Sequence, residues 1–331
     1  MRIGSKNSSS IFLDLPTKKV VESKDLQRTK EWHLKRNGCW TGSMIKNVMA
    51  CNSSGAKLDW SNPDKIYEFS TGVLKYIYSR AMQRKTNKVI STPSNAAMNY
   101  GTTVEEFICK IGSEILGQEI IEVDFKTHDK IKTLGASGDG ITKDGKIAIE
   151  IKACTNWETH YDRTFDKVNE KSTDFWQTQL EMMVWKVDQC AYLIAEPPQD
   201  IMEYVKGDKT FDDFKSECAV SMEFIDASPF HQNAILKRVE FIEDVCEEWI
   251  DKGGDLRELF YNKLDIIKCI ELVDEQQRET DQDEQKELSM YDFIGDIEVK
   301  DIKLVKAYPE VEVKQLEVKP IKKVNYNEVP F

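Results

Sequence analysis

The stretch of this chain that most restricts its fold is residues 135–152, which read Gly-Ala-Ser-Gly-Asp-Gly-Ile-Thr-Lys-Asp-Gly-Lys-Ile-Ala-Ile-Glu-Ile-Lys. Two runs of alternating apolar residues flank the Asp-Gly pair at 144–145, and Asp-Gly in that setting is a strong signal for a β-hairpin. A two-residue turn places Asp139 directly opposite Glu150 on the paired strand. A three-residue loop breaks this pairing, so the register depends on the turn.

The charged residues of the hairpin share one face. Side chains alternate along a strand, so Ala148, Glu150 and Lys152 lie on one side and the isoleucines of 147–151 point into the core. Two opposed carboxylates repel each other unless a cation lies between them. Carboxylate oxygens suit Mg²⁺ or Mn²⁺, and the lysine supplies a positive charge. The pattern favours metal-assisted phosphodiester hydrolysis, and the alternative is an exposed hairpin with ordinary surface charges.

The hairpin also resembles a known nuclease core. Ser-Gly-Asp at 137–139 and Glu-Ile-Lys at 150–152 resemble the PD-(D/E)XK pattern, with Gly138 in place of the usual proline. Proline is not a ligand, so we expect this departure to matter little. The resemblance implies an α/β, restriction-endonuclease-like fold: a mixed central β-sheet flanked by helices, with a C-terminal extension. It also implies metal ligation by Asp139, Glu150 and the Ile151 carbonyl, with Lys152 positioning or activating the water.

Three further motifs resemble the lambda exonuclease and YqaJ-like viral recombinase family. Residues 27–43 contain a tryptophan-bearing helix followed by an arginine, a glycine, a threonine and a serine, as the family's opening motif does. Residues 100–105 match its aromatic-Gly-x-x-x-Glu motif, so Glu105 corresponds to the carboxylate that joins the metal site from a helix. Its neighbour Glu106 points some 100° away on that helix. Gln177 matches the first glutamine of the family's Gln-x-Gln helix.

The resemblance implies a specific activity. It is a 5′→3′ exonuclease that acts on double-stranded DNA ends in phage-type recombination and leaves 3′ single-stranded overhangs. Two Mg²⁺ ions, or Mn²⁺, would be its cofactors. A pocket for the 5′-terminal phosphate would be formed by Arg36, Thr41, Ser43, Ser137 and Gln177. A guanidinium binds phosphate in a bidentate way, and hydroxyls and an amide add further donors. The family also implies a ring-shaped homotrimer around DNA and a single-strand annealing protein as partner.

Two other functions are compatible with the same residues. A structure-specific or sequence-specific endonuclease shares the catalytic hairpin but does not need the Arg36 motif, and a covalently closed circular substrate separates it from an exonuclease. A non-catalytic DNA-end-binding module is the second alternative. The intact Asp, Glu and Lys set argues against this module.

The distribution of charged and apolar residues along the chain indicates the domain boundaries. The net charge is −12 over 331 residues, but the acidic excess lies after Glu196, so a basic DNA groove remains compatible with the preceding part. We predict an N-terminal extension over 1–24 and the nuclease domain over 25–254. A charged helix, an acidic linker and a flexible tail follow over 255–331. Residues 154–171 are polar, and we expect them to be irregular.

The remaining sequence signals concern location. The chain has no apolar run long enough to span a membrane and no N-terminal signal pattern, so we predict a cytoplasmic protein without membrane contact. None of the eight cysteines forms a C-x-x-C pair. They are predicted to be reduced and mostly buried thiols.

Overall fold

The computed structural model describes residues 27–51, 66–89, 96–166, 168–198 and 200–270. All of them belong to the first of two compact units, Met1–Asp274. The predicted extension over 1–24 and the predicted linker and tail after residue 270 lie outside the described residues.

Helices and strands alternate along the described chain. In order they are α1 (Lys30–Arg36), β1 (Trp40–Thr41), α2 (Lys46–Met49), α3 (Gly72–Thr86), α4 (Ala96–Leu116), β2 (Ile120–Ile121), β3 (Lys126–Thr127), β4 (Leu134–Ala136), β5 (Gly140–Thr142), β6 (Ile147–Ala153), α5 (Trp157–Phe165), α6 (Thr173–Trp185), β7 (Gln189–Glu196), α7 (Ile201–Lys206), α8 (Phe211–Glu217), β8 (Ala219–Asp226) and α9 (Pro229–Lys252). A short 3-10 helix covers Gly42–Met44, and residues 256–270 are also helical.

The strands form two mixed sheets. The larger has the order β2-β5-β6-β7-β8, and the smaller has the order β1-β4-β3. Strands β6 and β7 pair in parallel over seven residues. A central strand with helices on both faces is buried on both sides, and Ile149 and Ala148 of β6 are accordingly buried at 0% and 2% exposure. The predicted α/β fold is confirmed. The strands form two sheets rather than one, and residues 137–139 connect β4 of the smaller sheet to β5 of the larger sheet.

The predicted register of the hairpin is observed, but with a different turn. Gly140 pairs with Ile149, which is the register that places Asp139 opposite Glu150. A two-residue type I′ turn needs a positive φ at both central positions, and Gly145 has one whereas Asp144 does not. Instead Thr142 closes a four-residue loop, because its carbonyl accepts from Gly145 N at 2.7 Å. An even number of loop residues leaves every side chain on its predicted face.

One buried cation joins distant parts of the largest core. Arg238 of α9 is 0% exposed, and its guanidinium donates to the carbonyls of Ile66 at 2.5 Å, Val48 at 2.8 Å and Glu68. A buried charge is tolerated where hydrogen bonds satisfy it. These bonds fix the end of α2 and the residues before α3 against the same point on α9.

Two segments differ from the sequence-based expectations. The region after β6 is not irregular, since Asn156 Oδ1 accepts from Thr159 N at 2.7 Å and caps the helix α5. Residues 256–270, which the sequence placed after the nuclease domain, pack on its core through Phe260, which is 1% exposed.

All eight cysteines are free, and four of them are buried. A helix with the length and apolar character to cross a membrane does not occur in the described ranges.

Candidate active site

A tight turn after α1 positions the first group of candidate residues. Gly38 has a φ of +74°, a conformation that side chains with a Cβ rarely adopt. A Cβ at this position would lie 2.6 Å from Cγ of Arg84. Arg84 Nε donates to the Gly38 carbonyl at 2.9 Å and Gln83 Oε1 accepts from Gly38 N at 2.9 Å. The turn is therefore fixed against α3, and it holds Arg36 at the end of α1.

Three of the predicted phosphate-binding residues meet at this turn. Arg36 Nη1 donates to Ser137 Oγ at 3.3 Å, and Nη2 donates to Ser43 Oγ at 3.3 Å. The guanidinium lies 4.0 Å from the ring centroid of Trp32 in a cation–π contact. Burial lowers the pKa of Arg36 to about 10, so the side chain remains a cation at neutral pH. A guanidinium flanked by two hydroxyls has the donor set that an anion requires.

The other two predicted phosphate-binding residues lie elsewhere. Thr41 is 2% exposed, and its backbone N–H donates to Tyr76 Oη at 3.1 Å. Gln177 Nε2 donates to Glu150 Oε1 at 2.8 Å and to Glu181 Oε1 at 3.0 Å. The structure thus joins Gln177 to the carboxylates rather than to the Arg36 group. Roles for these two residues in phosphate binding stay predictions.

The hairpin carboxylates lie immediately beside the Arg36 group. Asp139 is separated from Ser137 by a single glycine, and its Oδ2 accepts from Ile151 N at 2.6 Å. Burial, followed by the charge of Glu150, raises the pKa of Asp139 to about 7. Glu150 is 2% exposed, and its Oε2 has no hydrogen-bond partner among the described residues. Two acidic groups are therefore held together at low exposure.

Of the adjacent glutamates on α4, only Glu105 faces this cluster. Burial and the charge of Asp139 raise the pKa of Glu105 to about 7, and Arg28 Nη2 donates to its carboxylate at 2.8 Å. Glu106 is exposed and forms an ion pair with Lys110 at 2.9 Å. The helical geometry predicted this separation. It did not reveal Arg28, which takes a left-handed φ of +64°, unusual for a residue other than glycine.

Lys152 is surrounded by acceptors. Its Nζ contacts Glu150 Oε1 and lies 3.5 Å from both Asp174 Oδ1 and Gln177 Oε1. Burial alone lowers the pKa of Lys152, but the charges of Glu150 and Asp174 outweigh it and raise the pKa above its ordinary value. The amine is therefore protonated at neutral pH. In this arrangement Lys152 provides a fixed positive charge beside the carboxylates, and its role in positioning or activating the water stays a prediction.

Glu181 is a member of the cluster that sequence reasoning missed. It is 0% exposed, and its Oε2 has no hydrogen-bond partner within the described part of the chain. Burial, and then the charges of Glu150 and Asp139, raise the pKa of Glu181 well above its ordinary value. The signal was available: Glu181 follows Gln177 by four residues, so the two share a helix face.

The donor set can accommodate a hard divalent cation. In the described ranges no three His, Cys, Asp or Glu side chains form a metal site by themselves. The candidate ligands are therefore two carboxylates, Asp139 and Glu150, and the predicted Ile151 carbonyl, and the role of Glu105 as a further ligand stays a prediction. All are oxygen donors, which Mg²⁺ and Mn²⁺ prefer. The buried and unpartnered Oε2 of Glu150 is a position where such a cation would compensate an otherwise unfavourable charge.

Comparisons with known proteins support the fold. No protein-family model matches the chain, and no curated protein matches it by sequence. The alkaline exonuclease LHK-Exo from Laribacter hongkongensis is similar at 22% identity, with 67% of this chain and 95% of that chain covered and a TM-score of 0.50. Its complex with dAMP gives 23% identity, the same coverage and a TM-score of 0.51. A phage-related exonuclease from Haemophilus somnus is similar at 16% identity, with 65% of this chain and 96% of that chain covered and a TM-score of 0.50. The described chain therefore has the fold of these exonucleases.

Proposed function

We propose that this protein is a DNA exonuclease. One observation carries the proposal. A cationic group of donors, Arg36 with Ser137, and an acidic group, Asp139 with Glu150, lie side by side with only Gly138 between Ser137 and Asp139. Phosphodiester hydrolysis at a chain end needs both: donors that hold an anionic terminus, and a charged centre at the bond that is broken.

The finer assignment is a Mg²⁺-dependent 5′→3′ exonuclease acting on double-stranded DNA ends and leaving 3′ overhangs. Arg36 donates two hydrogen bonds in a fixed plane, so it suits two of the three non-bridging oxygens of a 5′-terminal phosphate. Ser43 and Ser137 add hydroxyl donors. A terminal phosphate held by these residues places the first phosphodiester beside Asp139, which fixes the position of cleavage along the strand.

The acidic residues have complementary roles. Asp139, Glu150 and the Ile151 carbonyl would hold Mg²⁺, with Glu105 as a further carboxylate from α4. When bound, Mg²⁺ supplies Lewis-acid stabilisation of the charge that develops on the phosphate. Lys152 keeps a protonated amine beside the same carboxylates and stabilises negative charge there. The homotrimer and the single-strand annealing partner implied by the resemblance stay predictions.

The decisive experiment compares linear DNA with covalently closed circular DNA of the same sequence in Mg²⁺. We expect the linear duplex to be degraded and the circle to survive. Glu105→Ala is expected to abolish degradation, and its exposed neighbour provides the matched control Glu106→Ala, which is expected to behave as wild type. Cleavage of the circle would assign an endonuclease. Binding of DNA ends without any hydrolysis would assign a non-catalytic module.

A further inference from the structure

Lys152 lies between two carboxylates that come from different elements. Its Nζ contacts Glu150 Oε1 on β6 and lies 3.5 Å from Asp174 Oδ1 in the first turn of α6. The two carboxylates differ in their proposed roles. Glu150 belongs to the proposed cation-binding set, whereas Asp174 does not.

Asp174 is held in place by contacts that use its other oxygen. Its Oδ2 accepts from Arg163 Nη1 at 2.5 Å and from Tyr192 Oη at 2.6 Å, and Arg163 also donates to Tyr192 Oη at 2.8 Å. Oδ1 is therefore the oxygen that faces Lys152. The first turn of a helix favours negative charge. Asp174 is thus a fixed anion with one oxygen directed at the ammonium.

The contact between Lys152 and Glu150 conflicts with the proposed use of Glu150. Two positive charges on one carboxylate repel each other strongly in a buried site. Glu150 Oε1 also accepts from Gln177, so an ammonium, an amide and a divalent cation would have to share a side chain that is 2% exposed. If the Lys152 ammonium can move to another carboxylate, the repulsion between it and the divalent cation at Glu150 is relieved, and the ammonium stays within the site.

We propose that Asp174 is the alternative partner of Lys152. When a divalent cation occupies Glu150, the Lys152 ammonium exchanges Glu150 Oε1 for Asp174 Oδ1 and remains beside the substrate phosphate. Asp174 is then a positioning residue that acts through Lys152. The inference rests on the proposed function in one respect, namely that Glu150 binds the cation.

The test measures Mn²⁺ binding by the full-length protein without DNA, from the electron paramagnetic resonance signal of free Mn²⁺. Asp174→Asn removes the alternative charge, so the ammonium stays on Glu150, and we expect Mn²⁺ affinity to fall about tenfold. Asp162→Asn, which removes an exposed acid of α5, is the matched control and is expected to bind as wild type. In a Lys152→Gln background, Asp174→Asn is expected to have almost no effect.

The double-mutant cycle separates this inference from simpler explanations. An equal loss of affinity in both backgrounds would assign Asp174 to general electrostatics and overturn the exchange, as would an unchanged affinity in Asp174→Asn. Thermal unfolding without cations checks folding. Should Asp174→Asn not fold, Tyr192→Phe removes one contact that fixes Asp174 and is expected to give a smaller loss that again depends on Lys152.

Mn²⁺ binding does not require DNA hydrolysis, so the two proposals fail separately. Coupling between Asp174 and Lys152 in a protein that leaves DNA intact would keep the exchange and reject the exonuclease. A protein that degrades DNA without this coupling would keep the exonuclease and reject the exchange.

Discussion

The carboxylates of Glu150 and Glu181 share one amide donor, since Gln177 Nε2 lies 2.8 Å from Oε1 of the first and 3.0 Å from Oε1 of the second. Each glutamate keeps a buried Oε2 without a hydrogen-bond partner in the described residues. The Lys152 ammonium contacts Glu150 Oε1, but the amide that Glu181 shares is neutral and cannot compensate a second buried negative charge. The cation-free protein therefore carries a local destabilisation at the centre of its site.

Glu181→Gln is expected to stabilise the cation-free protein. The substitution keeps the shape of the side chain and an oxygen for Gln177, and it removes a buried charge. Replacing buried ionisable groups in this way is worth about 1–3 kcal/mol. Urea unfolding at pH 8 in EDTA measures the effect, with the exposed Glu258→Gln as a control that should unfold as wild type does. A destabilised Glu181→Gln would show that the charge of Glu181 is compensated.

The stability of the cation-free protein should rise as the pH is lowered from 8. The folded-state pKa of Asp139 is raised from 3.8 to about 7, so its ionisation penalises the folded state above pH 7. This free-energy penalty shrinks as the pH falls below 7, and it disappears near the pKa that Asp139 has in the unfolded protein. Asp139→Asn lacks this penalty. We therefore expect the variant to be more stable than wild type at pH 8, by a margin that narrows at pH 5.5.

Urea midpoints in EDTA at the two pH values test this expectation. A margin that does not change with pH would mean that Asp139 is ionised in the folded protein throughout this range. Glu105 shows a raised pKa of about 7 for the same reason, burial, and it contributes in the same direction.

Loss of Arg36 should remove the preference for phosphorylated ends. Matched duplexes with 5′-phosphate and 5′-hydroxyl ends give initial rates for wild type and for Arg36→Ala. Hydrogen bonds to a charged group contribute about 1.5–3 kcal/mol, so wild type should prefer the phosphate about tenfold or more. Arg36→Ala should degrade both ends at similar rates.

The exposed Lys75→Ala on α3 is the control for a general loss of positive charge, and it should keep the preference. Equal wild-type rates on the two ends would show that no terminal phosphate is recognised. A preference that survives in Arg36→Ala would place the pocket elsewhere.

Removal of the fixed charge at Lys152 should reduce catalysis without unfolding the protein. Electrostatic stabilisation of this kind is worth about 100- to 1,000-fold in rate, so Lys152→Ala should lose that much on linear DNA in Mg²⁺. The exposed Lys146→Ala of the same hairpin is the matched control. Thermal unfolding of both variants checks the fold, and a wild-type rate in folded Lys152→Ala would exclude Lys152 from the reaction.

The sequence predicted the register of the central hairpin because a two-residue loop and a four-residue loop centred on the same Asp-Gly pair give the same register. It did not predict the turn, since the Thr142 carbonyl and the Thr142 hydroxyl, which accepts from Ile147 N at 3.1 Å, determine the loop. Helix α5 was missed for another reason. Its aromatic residues recur at four-residue spacing but are exposed, and the polar residues between them resemble a loop. The Asn156 cap was the signal that could have identified it.

Two members of the site that the sequence did not indicate are acids on α6. Asp174 and Glu181 are ordinary helix residues until their burial is known. Asp174 contacts Arg163 and Tyr192, which are 11 and 18 residues away, and Glu181 reaches the site through Gln177. Burial depends on tertiary packing, which local spacing does not report. The central hairpin was different because its two strands are neighbours in sequence, so the contact between its residues was already local.

The buried guanidinium of Arg238 has a consequence for how this protein can vary. It donates to the carbonyls of both Val48 and Ile66, two residues that are 18 positions apart in the sequence. The positions of Val48 and Ile66 relative to each other are therefore fixed by a side chain of α9. Replacing Arg238 would therefore be felt both at the end of α2 and in the residues before α3, although these segments lie far apart in sequence from α9.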